Sequence, residues 1–311
     1  MKKTLNLLYA LAFAGILFTG CNGSGSGSGD AVDLKLNLQK GKTYDYLLKS
    51  NMNMDMEVMG KQMTTTADMD FGFKMKVDDV DAQNNASMTA SYDAIRFKMN
   101  AMGMDLGYDS KNPGDTSKEN AMNGMFRKIF GSMVGQSFKL TMTPKGEVTK
   151  MSGFKEMVES MSNSISVPDN MREQMKTQME QSFNEDQVKQ SFAQGFSVYP
   201  DKPVKVGDSW NKTMDKTVSN MKMMQDIKYT VKEIKSNSVV LDMTGTIKSA
   251  AAADSTAGPV KMDMSGDEKG TLEIERSTGM VSHGDIDMNM TMNAAGHPMK
   301  MKMKITMEGK Q

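Results

Sequence analysis

The residues able to do unusual chemistry are a single cysteine, two histidines and 37 methionines in a chain of 311. Cys21 follows Phe18-Thr19-Gly20 directly, at the end of an apolar run from Leu5 to Phe18 that Lys2 and Lys3 precede. A thiol is a nucleophile that can be alkylated, and the small residues before it leave the neighbouring peptide bond open to approach. The methionines recur at alternate positions, as in Met52-x-Met54-x-Met56 and Met299-Lys300-Met301-Lys302-Met303-Lys304. Thioethers are soft ligands suited to Cu(I). In a β-strand, however, that spacing is one face of a sheet, and such a face needs no metal. Only His283 and His297 could add imidazole. No metal site and no cofactor are expected.

Catalytic patterns are equally sparse. No Gly-x-Ser-x-Gly elbow, His-Glu-x-x-His pair or phosphate-binding glycine loop occurs. His283 lies in a polar Ser-His-Gly-Asp passage and His297 precedes Pro298, both readable as turns. Asp78-Asp79 and Asp267-Glu268 are acidic pairs explained by solvated strand ends, and Asp68, Asp70, Asp263 and Asp285 have no loop to gather them around calcium. No catalytic residue is expected, and the ligand-binding residues stay unknown at this level.

The amino terminus supplies an address. A basic start, an apolar run short for a membrane span, small residues and a cysteine resemble a bacterial lipoprotein signal, Phe18-Thr19-Gly20-Cys21 being its lipobox. Residues 1–20 are then a signal peptide, Cys21 is the lipidation site, carrying palmitate-like chains, and residues 21–30, Asn-Gly-Ser-Gly-Ser-Gly-Ser-Gly-Asp after the cysteine, are a flexible tether. Acyl chains contribute about 0.8 kcal/mol per buried methylene, so the membrane is a partner through the anchor. Asn22 after the cysteine and the lack of an acidic cluster beyond Asp30 favour an outer-membrane position facing the periplasm.

Without residues 1–20 the chain loses two lysines of its 38 basic residues against 38 acidic ones, leaving a net charge of −2. That balance argues against nucleic acid as a partner. With its one thiol acylated, the body at residues 31–311 must rely on a conventional core.

The dominant pattern of that body is period two. Tyr44, Tyr46, Leu48, Met52, Met54 and Met56 alternate with Asp45, Lys49, Asn51, Asn53 and Asp55. After Gly60-Lys61 the apolar parity becomes Met63, Thr65, Ala67, Met69, Phe71 and Phe73. This predicts a long antiparallel hairpin over 43–77 with one buried face. A strand pair with Met88, Tyr92, Ile95 and Phe97 follows Asn84-Asn85. Asn120 to Val134 carries a helical stripe, and helices are again predicted between Gly153 and Phe192, broken near Pro168, with Asp169 and Asn184 as caps. From Lys205 strands resume at 209–220, 224–234, 238–249, 260–265, 269–276, 280–292 and 299–308. The fold class is therefore mainly β (α+β): long antiparallel, curved or half-barrel-like sheets.

Two halves, about 31–151 and 196–311, share landmarks in order, with a helical insertion within about 116–195. Gly41-Lys42-Thr43-Tyr44 matches Gly207-Asp208-Ser209-Trp210. Lys76 to Val80 matches Thr230 to Ile234, and the turn after Leu140-Thr141-Met142 matches that after Leu272-Glu273-Ile274.

The lipobox, the opening Leu36 to Tyr44 and the central Phe196-Ser197-Val198-Tyr199-Pro200 through Val206-Gly207-Asp208-Ser209-Trp210 together resemble an uncharacterised lipoprotein family of the Bacteroidota, domain of unknown function 6263. The resemblance spans nearly the whole chain after Cys21 and implies no catalytic residues.

Methionine fills irregular gaps and adapts to varied apolar surfaces. The expectation is a non-enzymatic envelope lipoprotein that binds a lipid or other apolar ligand in a methionine-lined curved sheet. A structural or protein-interaction lipoprotein with a packed core, and an uncharacterised hydrolase, stand as alternatives.

Overall fold

In the computed structural model the described residues run from 31 to 310, apart from 59, 102, 115–120, 219–220, 250–261, 295–296 and most of 165–197. Cys21, the lipobox, the tether and the expected helices capped by Asp169 and Asn184 lie outside the described residues.

The period-two segments form strands on the expected parity. The first hairpin is β1 (Thr43–Val58) and β2 (Lys61–Val80), in register from Thr43 opposite Lys76 to Val58 opposite Lys61. One long strand, β3 (Ala86–Ala101), and the short β4 (Met104–Asp109) stand where a strand pair ending near residue 99 was expected. A helix, α1 (Ala121–Met133), leads to β5 (Ser137–Met142), β6 (Val148–Ser152) and a second helix, α2 (Phe154–Ser164). The second series is β7 (Ser209–Val218), β8 (Met221–Ile234), β9 (Ser238–Ser249), β10 (Met262–Glu275), β11 (Val281–Ala294) and β12 (His297–Lys310). The segments 260–265 and 269–276, read separately in the sequence, are the single strand β10, because Gly266 and Gly270 do not break it. They admit the close approach of β11: a Cβ on Gly266 would stand 2.5 Å from the Asn289 carbonyl oxygen.

All strands belong to one antiparallel sheet, ordered β6-β5-β3-β2-β1-β12-β11-β10-β9-β8-β7, with β4 beside β3. The sheet is not closed into a barrel. Its order reads as two five-strand units in tandem with β12 between them. Backbone bonds repeat in the two units: Gly41 N–H donates to Val77 O and Gly207 N–H to Val231 O, both at 2.8 Å. The glycines hold φ of +83° and +89°, a conformation that side chains with a Cβ disfavour. Bulges fall at matching places, between Val77 and Asp79 and between Val231 and Glu233.

The sheet is strongly curled. The β5–β6 turn and the β10–β11 turn are separated by five strand spacings from β5 to β11, roughly 24 Å if the sheet were flat. Yet two adjacent residues reach both: Leu36 N–H donates to Pro144 O and Asn37 N–H to Thr278 O, each at 2.8 Å. The segment 31–38 and the segment 196–204 bridge each other between Val32 and Val204 and plug this end. Gly279 lies against the backbone of Lys35 and Leu36, and Gly146 against that of Phe196, so closely that a Cβ at either would overlap the neighbouring carbonyl.

Leu34, Met75, Met88, Leu140, Tyr199, Leu241 and Ile274 are among the buried side chains of one continuous core at the plugged end. The amphipathic stripe of α1 sets Phe126 and Phe130 on Phe97 of β3, at 5.2 and 5.4 Å between ring centres. α2 buries Phe154, Met157, Val158 and Met161. No helix among the described residues is long and apolar enough to cross a membrane.

Candidate functional site

Along β1, β12 and β11 the covered face changes character with height. Nearest the plug, Tyr44 packs in the core. Above it, Tyr46, Leu48, Phe71, Phe73, Ala90, Tyr92, Phe138, Phe192, Phe196 and Met307 line a half-open cavity of about 290 Å³. Towards the other end of the strands the same face is methionine.

Small residues and a bulge make the cavity. Ala90, Ser91 and Gly195 leave room that larger side chains would fill. Between Gly72 and Phe73 the β2–β3 register slips, so that Gly72 opposes Ala94 and Phe73 opposes Tyr92. The extra residue, Asp93, reverses parity in β3. Ile95 and Phe97 point inward beyond the bulge, and Tyr92 and Ala90 point inward before it. Aromatic contacts then frame the space. Tyr46 stacks on Phe73 at 5.4 Å, and Phe138 meets Phe192 edge-on at 5.3 Å. Tyr92 lies 6.3 Å from Phe71 and 6.5 Å from Phe138. Burial pushes the Tyr46 and Tyr92 hydroxyls above the ordinary phenol range. They remain neutral donors at physiological pH. The wall is apolar with a few hydroxyls, a composition suited to hydrocarbon.

The expected methionine lining is displaced. Among the described residues Met307 is the one methionine that borders this cavity, because the methionines crowd the far ends of β1, β11 and β12 while aromatic residues occupy the middle of the first unit.

The other candidates fall apart in space. His283 bonds through Nε2 to Asp285 at 2.9 Å on the outer face, half-exposed, and Asp285 also accepts from Thr306 at 3.0 Å. These bonds, the one to His283 first, hold the Asp285 carboxyl below its ordinary range. His297 opens β12 opposite Ala294. Asp79 pairs with Lys40 at 2.8 Å, Asp78 accepts from Thr89 at 2.6 Å, Asp68 from Asn51 at 2.7 Å, and Asp70 pairs with Arg96 at 3.0 Å. Among the described residues no three His, Cys, Asp or Glu side chains gather as metal ligands.

One acidic pair departs from the sequence reading. Asp267 and Glu268 lie in the middle of β10 rather than at a solvated strand end. Asp267 faces out towards Asn289. Glu268 is 4% exposed on the covered face and accepts from Gln225 Nε2 at 2.6 Å. Its side chain lies over Gly245, where a Cβ would collide with the carboxylate. The signal was present in the parity, since Glu268 shares its face with Met264, Leu272 and Ile274.

No curated protein matches the sequence. A structure of lipovitellin described for its lipid–protein interactions is similar at 8% identity and a TM-score of 0.47, over 88% of this chain. The chain spans 26% of the length of that protein. The translocator domain of the autotransporter NalP from Neisseria meningitidis is similar at 6% identity and a TM-score of 0.31, covering 88% of this chain and 89% of that one. OpdQ of Pseudomonas aeruginosa is similar at 8% identity and a TM-score of 0.22, covering 88% and 99%. The chain belongs to a family of unknown function, DUF6263, whose model matches residues 83–281.

Proposed function

We propose that this member of the DUF6263 family is a non-enzymatic envelope lipoprotein, anchored through Cys21 at the outer membrane facing the periplasm, that holds a lipid or other apolar ligand. The observation that carries the reading is the cavity of about 290 Å³ walled by aromatic rings. A space of this size with an apolar wall is a ready place for a hydrocarbon chain.

The outer face supports the same assignment. It alternates Asp45, Lys49, Asn51, Asn53 and Asp55 on β1, so its apolar side is the covered one. A membrane-spanning barrel has the opposite arrangement, apolar outside and polar within. The packed-core alternative accounts for the plugged end and leaves the cavity unexplained. Of the strand-end acidic residues on which the hydrolase alternative would draw, Asp79 pairs with Lys40 and Asp78 accepts from Thr89, both at the exposed surface away from the cavity.

The full chain carrying Cys21→Ser, purified and extracted with organic solvent, should release a lipid that mass spectrometry identifies. Protein that is ligand-free and takes up no fluorescent acyl probe would sink the proposal.

A further inference from the structure

The methionines at the far end of the sheet form a block. In β1, Met52, Met54 and Met56 stand opposite Met303, Met301 and Met299 of β12. Those three stand in turn opposite Met288, Met290 and Met292 of β11. Every position of this three-by-three array on the covered face is methionine. Met301 is buried at 9% exposure, and the others are half-buried.

Nearer the plug, the same face of the same strands carries Tyr46, Leu48 and Ser50 of β1, Ile305 of β12 and Ile286 of β11, with Met307 the one methionine among them. Ordinary apolar residues thus serve where only packing is asked. Leucine has nearly the volume of methionine and better-defined rotamers, so an apolar wall alone does not select methionine at every place. What methionine has and leucine lacks is a sulfur lone pair. Directly opposed side chains on neighbouring strands have Cβ atoms about 5 Å apart and the outer two of a row about 10 Å, and three rotatable bonds let both outer thioethers turn towards the central one on β12. Each row thereby offers at least three thioethers without a thiolate or imidazole, and the third extends to five, with Met63 of β2 opposite Met56 and Met264 of β10 opposite Met292. The first row continues into β10, where Glu268 stands opposite Met288 and brings a carboxylate to the same face.

We propose that the array binds a soft monovalent cation, Cu(I) or Ag(I), through rows of three thioethers: Met52, Met303 and Met288; Met54, Met301 and Met290; Met56, Met299 and Met292. Neutral thioether donors select soft cations over Mg²⁺, Ca²⁺ and Zn²⁺. The site is separate from the aromatic cavity and does not depend on the ligand held there.

Ag(I) is the probe, because it needs no reductant. Titrated in chloride-free buffer and followed by native mass spectrometry, the full chain carrying Cys21→Ser, which removes the competing thiol, should take up about three Ag(I), one per row. The variant Met54→Leu, Met301→Leu, Met290→Leu should lose about one equivalent, and Ala90→Leu in the cavity should lose none. An unchanged stoichiometry in the three-residue variant would overturn the proposal, as would Cys21→Ser protein that binds no Ag(I). Should that variant fail to fold, as circular dichroism would reveal, Met301→Leu alone decides. An affinity for the middle row weakened about tenfold supports the site, and an unaltered affinity refutes it.

Discussion

The Tyr199 hydroxyl donates to the carbonyl oxygen of Gly279 at 2.7 Å, and both groups are buried. The bond ties the segment leading into the second series of strands to the β10–β11 turn, where residues 35 and 36 also pack. Tyr199→Phe should therefore lower stability by about 1–2 kcal/mol in denaturant unfolding, because the Gly279 carbonyl would be left buried without this donor.

Burial pushes the hydroxyls of Tyr46, Tyr199 and Tyr229 well above the ordinary phenol range. The folded chain then holds these protons where the unfolded chain releases them. Stability should be fully present below pH about 10 and fall as pH rises through the raised values. Unfolding followed by circular dichroism at pH 8 and pH 11 checks this. Equal midpoints would contradict it.

Gly279 combines φ of +74° with backbone packed where its Cβ would go, whereas Gly60, at the same φ of +74°, faces open space. Gly279→Ala should cost about 3 kcal/mol or more and Gly60→Ala about 1 kcal/mol. A thermal-melt comparison of the two variants separates steric overlap from conformational strain.

Ala90 is 1% exposed and borders the aromatic cavity. Ala90→Leu should fill the space, weaken a fluorescent acyl probe at least about tenfold, and leave the melting temperature unchanged or higher. Retained probe affinity in a folded variant would place the apolar ligand elsewhere.

Cys21→Ser should abolish incorporation of labelled palmitate and release the chain from the membrane fraction. Labelling equal to that of the wild-type chain would end the anchor assignment.

Local patterns carried most of the element assignments. Period-two alternation fixes which side chains share a face, so the 43–77 hairpin was legible from Tyr44, Met52, Met63 and Phe71, while 260–265 and 269–276 were split at glycines that the strand β10 accommodates. The bulge went unread: the change of parity between Tyr92 and Ile95 was taken for a strand pair, where the structure has one strand with an extra residue. The stripe Met122, Phe126, Ile129 and Met133 predicted α1 for the same reason, a repeat of 3.6 rather than two. Glu268 was misread because an acidic pair beside a glycine looks like a turn; only the pairing of β10 with β9 and β11 shows it in mid-strand. The curl was hidden as well, since it depends on Leu36 and Asn37 meeting turns more than 100 and 200 residues away, at Pro144 and Thr278. The cavity arises from that curl, the bulge at Phe73 and the arrival of Phe192 and Phe196 from another segment. Sequence periodicity determined which face of each strand is apolar, because that is a property of neighbours along the chain. Where that face closes on aromatic rings and where it ends in ranks of thioethers is decided by register and curvature, which exist only once distant strands have paired.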